Sequence, residues 1–571
     1  VRKSDVVKKK IVRKDSVKPA SGIAPQQKTF LDRTEVYLAS RKNIFLFSSI
    51  LLAVVLGLLQ FNYRISEAND DSMYLEDAFK FSKDFFGYYT ANAPFYPMFL
   101  SLFIRLFGFK LVILKLTGFL FMMAHLFFLY KAFEKRIPYL VLFFVLFFTA
   151  VNPYMLYYAS MTFTEQFFMM QQAIFLFLFF KTYDRLDANN TILQRILLWL
   201  PVGLILFILT MSRNVAIGII IPVVVFLLYE RKFKDIFYFL LSFSVFRMPF
   251  EFLRKMLWGD TNQFSNQMNS LIRWKDPYDP SKGVEDFSGY IDRFASNFNL
   301  YINKRMLQIF GFMSESDTST KAGFGFIVII LLVVSIFLIL KKNKPILLFT
   351  LLYSGALICI TFIAVQSRWD QLRLILVFVP LLLIVFFSVF TNLEKKSKML
   401  NFFIVFIMII FLFSTSISTS KSSISNFPVL KKNLSGDMYF GYTTDWINYL
   451  KLSAWCADSL PGNSLVACRK APMSFIYGKG KEFFPVYQVF SNNPDTVINR
   501  FRSNGVTHVL LASLRRNPIK QDGYIINTIH RLLQPVIEKY PGSLELIKTE
   551  GTSEQAYLYK INYDRINEAN Q

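Results

Sequence analysis

A mainly helical, polytopic membrane protein with an appended α/β domain is the fold class that this sequence predicts. Three observations predict it. Hydrophobic residues make up 53% of the 571-residue chain and Phe alone numbers 65, a composition that lipid-exposed helices explain and several soluble domains would not. The apolar residues come in runs, many near the length needed to cross roughly 30 Å of hydrocarbon. The net charge of +25 sits largely in an N-terminal tail and in short loops between those runs, where topology and anionic lipid account for it better than nucleic acid does.

Residues 1–42 are polar, basic and without apolar period, and read as a disordered cytoplasmic tail. The first apolar run begins near Ile44 with no small-residue cleavage site, so it reads as an uncleaved first span. Spans are expected at about 44–61, 111–130, 138–152, 165–181, 194–211, 214–229, 234–249, 324–340, 345–365, 372–391 and 400–418. The basic segments KAFEKR (131–136), KTYDR (181–185), YERKFKD (229–235), KKNK (341–344) and EKKSK (394–398) then share the cytoplasmic side with the tail. That holds if the run 94–109, about sixteen residues with Arg105 inside it, is an interfacial or re-entrant helix. The expectation is eleven spans in the cell (inner) membrane, with the N-terminus in and the C-terminus out.

A transmembrane domain at 43–420 therefore carries two long outer loops, 62–110 and 250–323, and is followed by an extracytoplasmic domain at 421–571. The loop 250–323 mixes Trp258, Trp274, Asp260 and Asp276 with PYDP (277–280) and is too long for a simple connector. The last domain reads as α/β, with helices near 443–458, 494–503 and 523–539 and strands near 464–468, 507–512, 543–549 and 555–562. Gly505 fits a helix C-cap leading into a strand. No glycine-rich fingerprint marks a nucleotide site, and there is no internal repeat. Cys456 and Cys468 lie in this oxidising space, either paired or as two free thiols; Cys359 lies in an apolar run.

The chemistry-bearing stretch is Asn62–Pro97, between the first apolar run and the second. It holds the adjacent carboxylates Asp70 and Asp71, with Glu67, Glu76 and Asp77 close by. A glycosyl transfer with inversion needs a base for the acceptor hydroxyl and cations for the departing phosphate. An adjacent pair suits the first need: one carboxylate acts as base while the other orients the acceptor or holds a divalent ion. Alone, the pair reads as a solvated acidic loop. Arg213, Lys115 and Arg373, with Arg368 just before it, sit at the outer ends of spans, where the positive-inside rule does not explain them. They either snorkel to headgroups or bind a lipid phosphate. Glu165 opens the span 165–181 on the same face, as a helix N-terminal acid or as part of the Asp70 neighbourhood. His125, His508 and His530 show no zinc-ligand spacing.

The order of these features resembles the GT-C superfamily of integral-membrane glycosyltransferases, within it the protein mannosyltransferase and lipid A aminoarabinose transferase group. The likeness lies in Asp70-Asp71-Ser72-Met73-Tyr74, then Pro94 and Pro97, then Leu106-Phe107-Gly108, then Lys115. It continues through Glu165, Thr210-Met211-Ser212-Arg213, and Arg373 with Pro380. The sequence departs from the pattern at Asp71, where the closest groups often carry Glu, and at Ala93, where aminoarabinose transferases carry a basic residue before the proline. The resemblance implies inverting transfer from a polyprenyl-phosphate sugar donor to an extracytoplasmic protein, glycan or lipid. It casts Asp70 as base, Asp71 as its partner, and Arg213 near the lipid phosphate, with Arg373 and Lys115 as further cations and Tyr74, Glu165 and Arg368 in support. Members differ in whether they use a divalent cation. A transporter or flippase of a lipid-linked or anionic substrate is the alternative class; it predicts charges deep in several spans or paired half-repeats.

Overall fold

The computed structural model describes residues 30–65, 70–90, 93–259, 271–276, 282–366, 369–391, 398–519, 521 and 524–568. Residues 1–29, Glu67, Asp260, 277–280, Arg368 and 394–397, all invoked above, lie outside that set. The first half of the chain forms α1 (Phe30–Ser40), α2 (Lys42–Gln60), α3 (Asp70–Lys83), α4 (Phe95–Phe107), α5 (Leu111–Phe133), α6 (Tyr139–Val151), α7 (Pro153–Ala159), α8 (Glu165–Tyr183), α9 (Ile192–Ser212), α10 (Ile220–Tyr229) and α11 (Phe233–Trp258). The bundle is completed by helices at Ala322–Lys341, Pro345–Ala364, Arg373–Leu376, Val379–Thr391 and Lys398–Leu434.

All eleven expected spans are helical, but not all have the length and hydropathy of a membrane crossing. Among the described residues seven helices do, or eight if α6 and α7, bent by 61° at Asn152, count as one. The shortfall has local causes. Helix α8 carries Glu165, Gln166, Gln171, Gln172 and Lys181, which lower its hydropathy. The segment Asn214–Tyr229 opens as a 3-10 turn and leaves α10 only ten residues. The segment 372–391 breaks at Val377 and Phe378, ahead of Pro380, whose ring and missing N–H disrupt the preceding turn. Helix α4, thirteen residues long, is too short to cross, as its apolar run implied.

Three boundaries are corrected. The expected disordered tail gives way at Phe30 to α1, because Leu38 enters the core and the Glu35 carboxylate accepts the amides of Tyr139 and Leu140 at the start of α6. Helix α11 runs to Trp258, whose indole donates to the Phe86 carbonyl at 2.7 Å. The expected loop 250–323 is in large part helical: Phe287–Leu300 leads through a π turn, Tyr301–Arg305, into Met306–Ile309. Tyr301, Met306, Ile309 and Phe310 belong to the main core.

The basic segments gather at one end. Lys42 pairs with Glu134 at 2.6 Å, Arg136 with Asp184, and Tyr183 donates to Glu230 at 2.8 Å. One cleft there is lined by Glu35, Lys135, Arg136, Lys344 and Thr391.

The C-terminal region holds a five-stranded mixed sheet in the order β2-β1-β3-β7-β6. Its strands are β1 (Leu465–Cys468), β2 (Phe483–Pro485), β3 (Val506–Ala512), β6 (Leu544–Glu550) and β7 (Ala556–Ile561); β4 (Leu514–Arg515) and β5 (Ile525–Ile526) form a separate ribbon. Strands β2, β1 and β3 run parallel, while β7 is antiparallel to both β3 and β6. Helices Thr444–Ser459, Pro494–Ser503 and Thr528–Lys539 lie close to the expected ranges. Gly505 has φ +70°, the left-handed conformation that glycine tolerates after a helix. Helix Ala471–Tyr477 and β2 are additions, too short to show a period. Cys456 and Cys468 are buried free thiols; burial pushes them up to about 12 and about 11.

The two regions share a core. Leu75 and Ala78 of α3, Tyr96 and Leu100 of α4, and Leu114 and Phe121 of α5 pack in one cluster with Trp446, Tyr449, Phe475 and Tyr477. Phe79 meets both Phe109 and Phe475, with ring centroids 5.3 Å apart in each case.

Candidate active site

Helix α3 begins at the acidic pair and ends in Lys80 and Lys83, so its charges complement the peptide dipole at both ends. Consecutive helical residues point about 100° apart, and this divides the pair. Asp70 faces outward with its side chain 41% exposed, whereas Asp71 is fully buried and accepts the Ser72 amide at 3.0 Å.

Four side chains form a chain of charges from Asp70 inward. Asp70 pairs with Arg373 Nη2. Arg373 Nη1 lies 3.6 Å from Glu165 Oε1, and its Nε donates to Gln371 at 2.9 Å. The same Glu165 oxygen accepts from Arg213 Nη1 at 3.2 Å. Phe163 lies under the Arg373 guanidinium and Phe168 under that of Arg213, at 4.8 and 5.4 Å. Glu165 is fully buried, and its Oε2 has no hydrogen-bond partner among the described residues. It is both the first residue of α8 and the bridge between two arginines. The two arginines differ in what they have to spare. Each guanidinium offers five N–H donors. Among the described residues, Arg373 engages three nitrogens with protein oxygens and Arg213 engages one.

Tyr74, one turn along α3 from Asp70, packs its ring 5.6 Å from that of Tyr96. Burial, and then the Asp70 charge, raise its pKa, with Arg373 opposing, so the phenol stays neutral. Lys115 is buried at 1% exposure rather than placed at an open headgroup level. It donates to the Arg64 carbonyl, lies 3.5 Å from Met161 Sδ, and has Asp71 as its acidic neighbour. The site thus separates into an outer set of Asp70, Arg373, Glu165 and Arg213 and an inner set of Asp71 and Lys115. Among the described residues no three His, Cys, Asp or Glu side chains converge to hold an ion. Asp70 has an arginine as its described partner.

Several neighbours of the site carried no signal in the sequence. Asp370 accepts from Arg305 and, at 3.3 Å, from Lys304, both on the π turn; this fixes the stretch that leads into Gln371 and Arg373. Asn426 donates to the carbonyls of Leu59 and Phe61 at 3.1 and 2.9 Å. Asn433 accepts the Tyr63 amide at 2.9 Å. The Tyr442 hydroxyl accepts the Ile65 amide at 2.6 Å. A helix-spaced pair of asparagines at 426 and 433 was the one available clue.

Two solved membrane proteins share this architecture. ArnT from Cupriavidus metallidurans, bound to undecaprenyl phosphate, is 11% identical, with a TM-score of 0.55 over 90% of this chain and 97% of that one. The archaeal oligosaccharyltransferase AglB from Archaeoglobus fulgidus, in complex with an inhibitory peptide and a dolichol-phosphate, is 12% identical, with a TM-score of 0.54 over 90% of this chain and 74% of that one. No protein-family model and no curated protein matches the sequence. At such identities the likeness establishes the fold, which is the GT-C fold of these integral-membrane glycosyltransferases.

Proposed function

We propose that this protein is a membrane glycosyltransferase that moves a sugar from a polyprenyl-phosphate carrier to an acceptor hydroxyl on the extracytoplasmic face, with inversion. The observation that carries the reading is the Asp70–Arg373–Glu165–Arg213 chain. It links a half-exposed carboxylate, through Arg373 and Glu165, to Arg213, on a fold shared with proteins bound to undecaprenyl phosphate and dolichol-phosphate. Asp70 takes the proton from the acceptor hydroxyl as that oxygen attacks the anomeric carbon. The bond from that carbon to the phosphate oxygen breaks, and the negative charge gathers on the carrier phosphate. Arg213, with N–H groups that engage no other described residue, meets that charge. Arg373 aims Asp70, and Glu165 sets the spacing of both arginines. Asp71 and Lys115 fix the start of α3 from below. The transport alternative gains no observation of its own.

The test is turnover of a radiolabelled polyprenyl-phosphate sugar by purified wild type and Asp70→Asn, read as sugar released or moved to an acceptor in a membrane extract. Loss of about 10²–10⁴-fold in Asp70→Asn, with folding and lipid binding retained, is expected. Equal turnover in both would remove Asp70 from the mechanism.

A further inference from the structure

The parallel part of the C-terminal sheet has a switch point. Strand β1 is central; the chain leaves it through helix Ala471–Tyr477 to β2 on one side, then returns through helix Pro494–Ser503 to β3 on the other. In open α/β sheets the crevice outside the carboxyl ends of such strands is where ligands sit. Here those ends carry a common chemistry. Arg469 and Lys470 follow β1, Tyr487 follows β2, and Arg515, which ends β4, and Arg516 come after β3.

Two of these cations are already spent or enclosed. Arg515 pairs with Asp445 at 2.9 Å and with Glu554. Lys470 is buried beside Trp446. Arg469 and Arg516 differ: neither has a carboxylate partner among the described residues. The Arg469 side chain donates to Thr528 Oγ1 at 3.2 Å and its guanidinium lies 5.8 Å over the Tyr487 ring. The Arg516 guanidinium lies 5.5 Å over Tyr524, which is also an electrostatic neighbour of Arg469. Both tyrosines are open, at 46% and 63% exposure. Burial lowers the Arg469 pKa, so an anion there relieves a desolvated charge.

We propose that this crevice binds an anionic sugar group, its carboxylate or phosphate gripped by Arg469 and Arg516 and its ring laid against Tyr487 and Tyr524. Forked guanidinium donors match the oxygen geometry of either anion, and exposed aromatic rings supply flat apolar contact with a polar edge. The crevice is tied to the acidic pair. The Thr443 amide donates to the Pro518 carbonyl at 2.8 Å, next to Tyr442, which holds Ile65 five residues before Asp70. On the glycosyltransferase reading, the anionic sugar belongs to the acceptor, and the crevice selects acceptors that carry it.

Binding can be measured without any donor lipid, so its failure and that of the transferase reading are separate results. The full chain in detergent is titrated calorimetrically with glucuronic acid, glucose 6-phosphate, inorganic phosphate and glucose. Both anionic sugars should bind about tenfold or more tightly than glucose, and Arg469→Ala with Arg516→Ala should lose about tenfold. Arg516→Ala alone, at an exposed position, should keep the fold and lose part of the binding. Unchanged binding in the double variant, or none by wild type at roughly 20 mM, would overturn the proposal. Inorganic phosphate binding as tightly as glucose 6-phosphate would overturn the sugar assignment.

Discussion

At the scale of single residues, Glu165 and Asp70 are both acids on arginine and yet should fail differently. Glu165 is enclosed between Arg213 and Arg373 with no solvent to replace it. Removing one partner of a buried pair costs about 3–5 kcal/mol, because the remaining charge is left uncompensated. Glu165→Gln leaves two guanidinium groups facing an amide, so both thermal stability and turnover should fall. Asp70→Asn sits at a half-exposed position, where loss of a pair costs about 1 kcal/mol or less, so turnover should fall while the unfolding temperature moves little. A thermal-unfolding series in detergent on the two variants checks this; equal destabilisation would place Asp70 in the core rather than in the chemistry. The sequence showed which acids and cations to watch, and that they share a side. It did not show their pairing, because Asp70 and Arg373 come together across 303 residues. The division of the acidic pair was legible in helix phase only once the helix was known to start at Asp70.

At the scale of elements, what aims the acidic pair is the short linker between α2 and α3. Its polar groups are met by Asn426 and Asn433 on the last long helix, by Lys115 on α5 and by Tyr442. Asn426→Ala leaves the Leu59 and Phe61 carbonyls without that partner, a cost of about 1–3 kcal/mol. Turnover should drop while the KM for the donor lipid stays near wild type; a change confined to KM would assign Asn426 to donor binding. The apolar pattern of this helix fades near 418, where the sequence predicts its end, whereas the helix continues to Leu434 and its polar turns make the contacts. The stretch ahead of Arg373 depends similarly on Asp370. Desolvation works against its ionised form, but the hydrogen bond and charge of Arg305 and the charge of Lys304 outweigh it and lower the pKa. A lowered carboxylate pKa contributes stability that is present above the unfolded value, about 3.9, and is lost as pH falls through the folded value. The stability advantage of wild type over Asp370→Asn should therefore hold at pH 7 and shrink below about pH 4, as read by thermal unfolding across that range.

At the scale of the whole molecule, the compositional break near residue 420 is a break in sequence but not in packing. Composition located the α/β region because its strands alternate and its surface is polar. It could not show that one flank is apolar because that flank is buried against α3, α4 and α5. Phe475 and Tyr477 lie on a helix that rests on α3, and Tyr442 holds the backbone just before the acidic pair. The C-terminal region is thus packed into the scaffold around α3. A chain ending at Leu434 should leave Leu75, Ala78 and Phe79 uncovered, and α3 should lose amide protection while the distant helices keep theirs. Hydrogen exchange on the truncated and full-length proteins in detergent tests this directly. Loss of protection confined to α3 and the α2–α3 linker, with donor turnover abolished, would show that the domain holds the acidic helix in place. Unaltered protection in α3 would mean that the membrane bundle positions Asp70 unaided, leaving the C-terminal region to acceptor recognition alone.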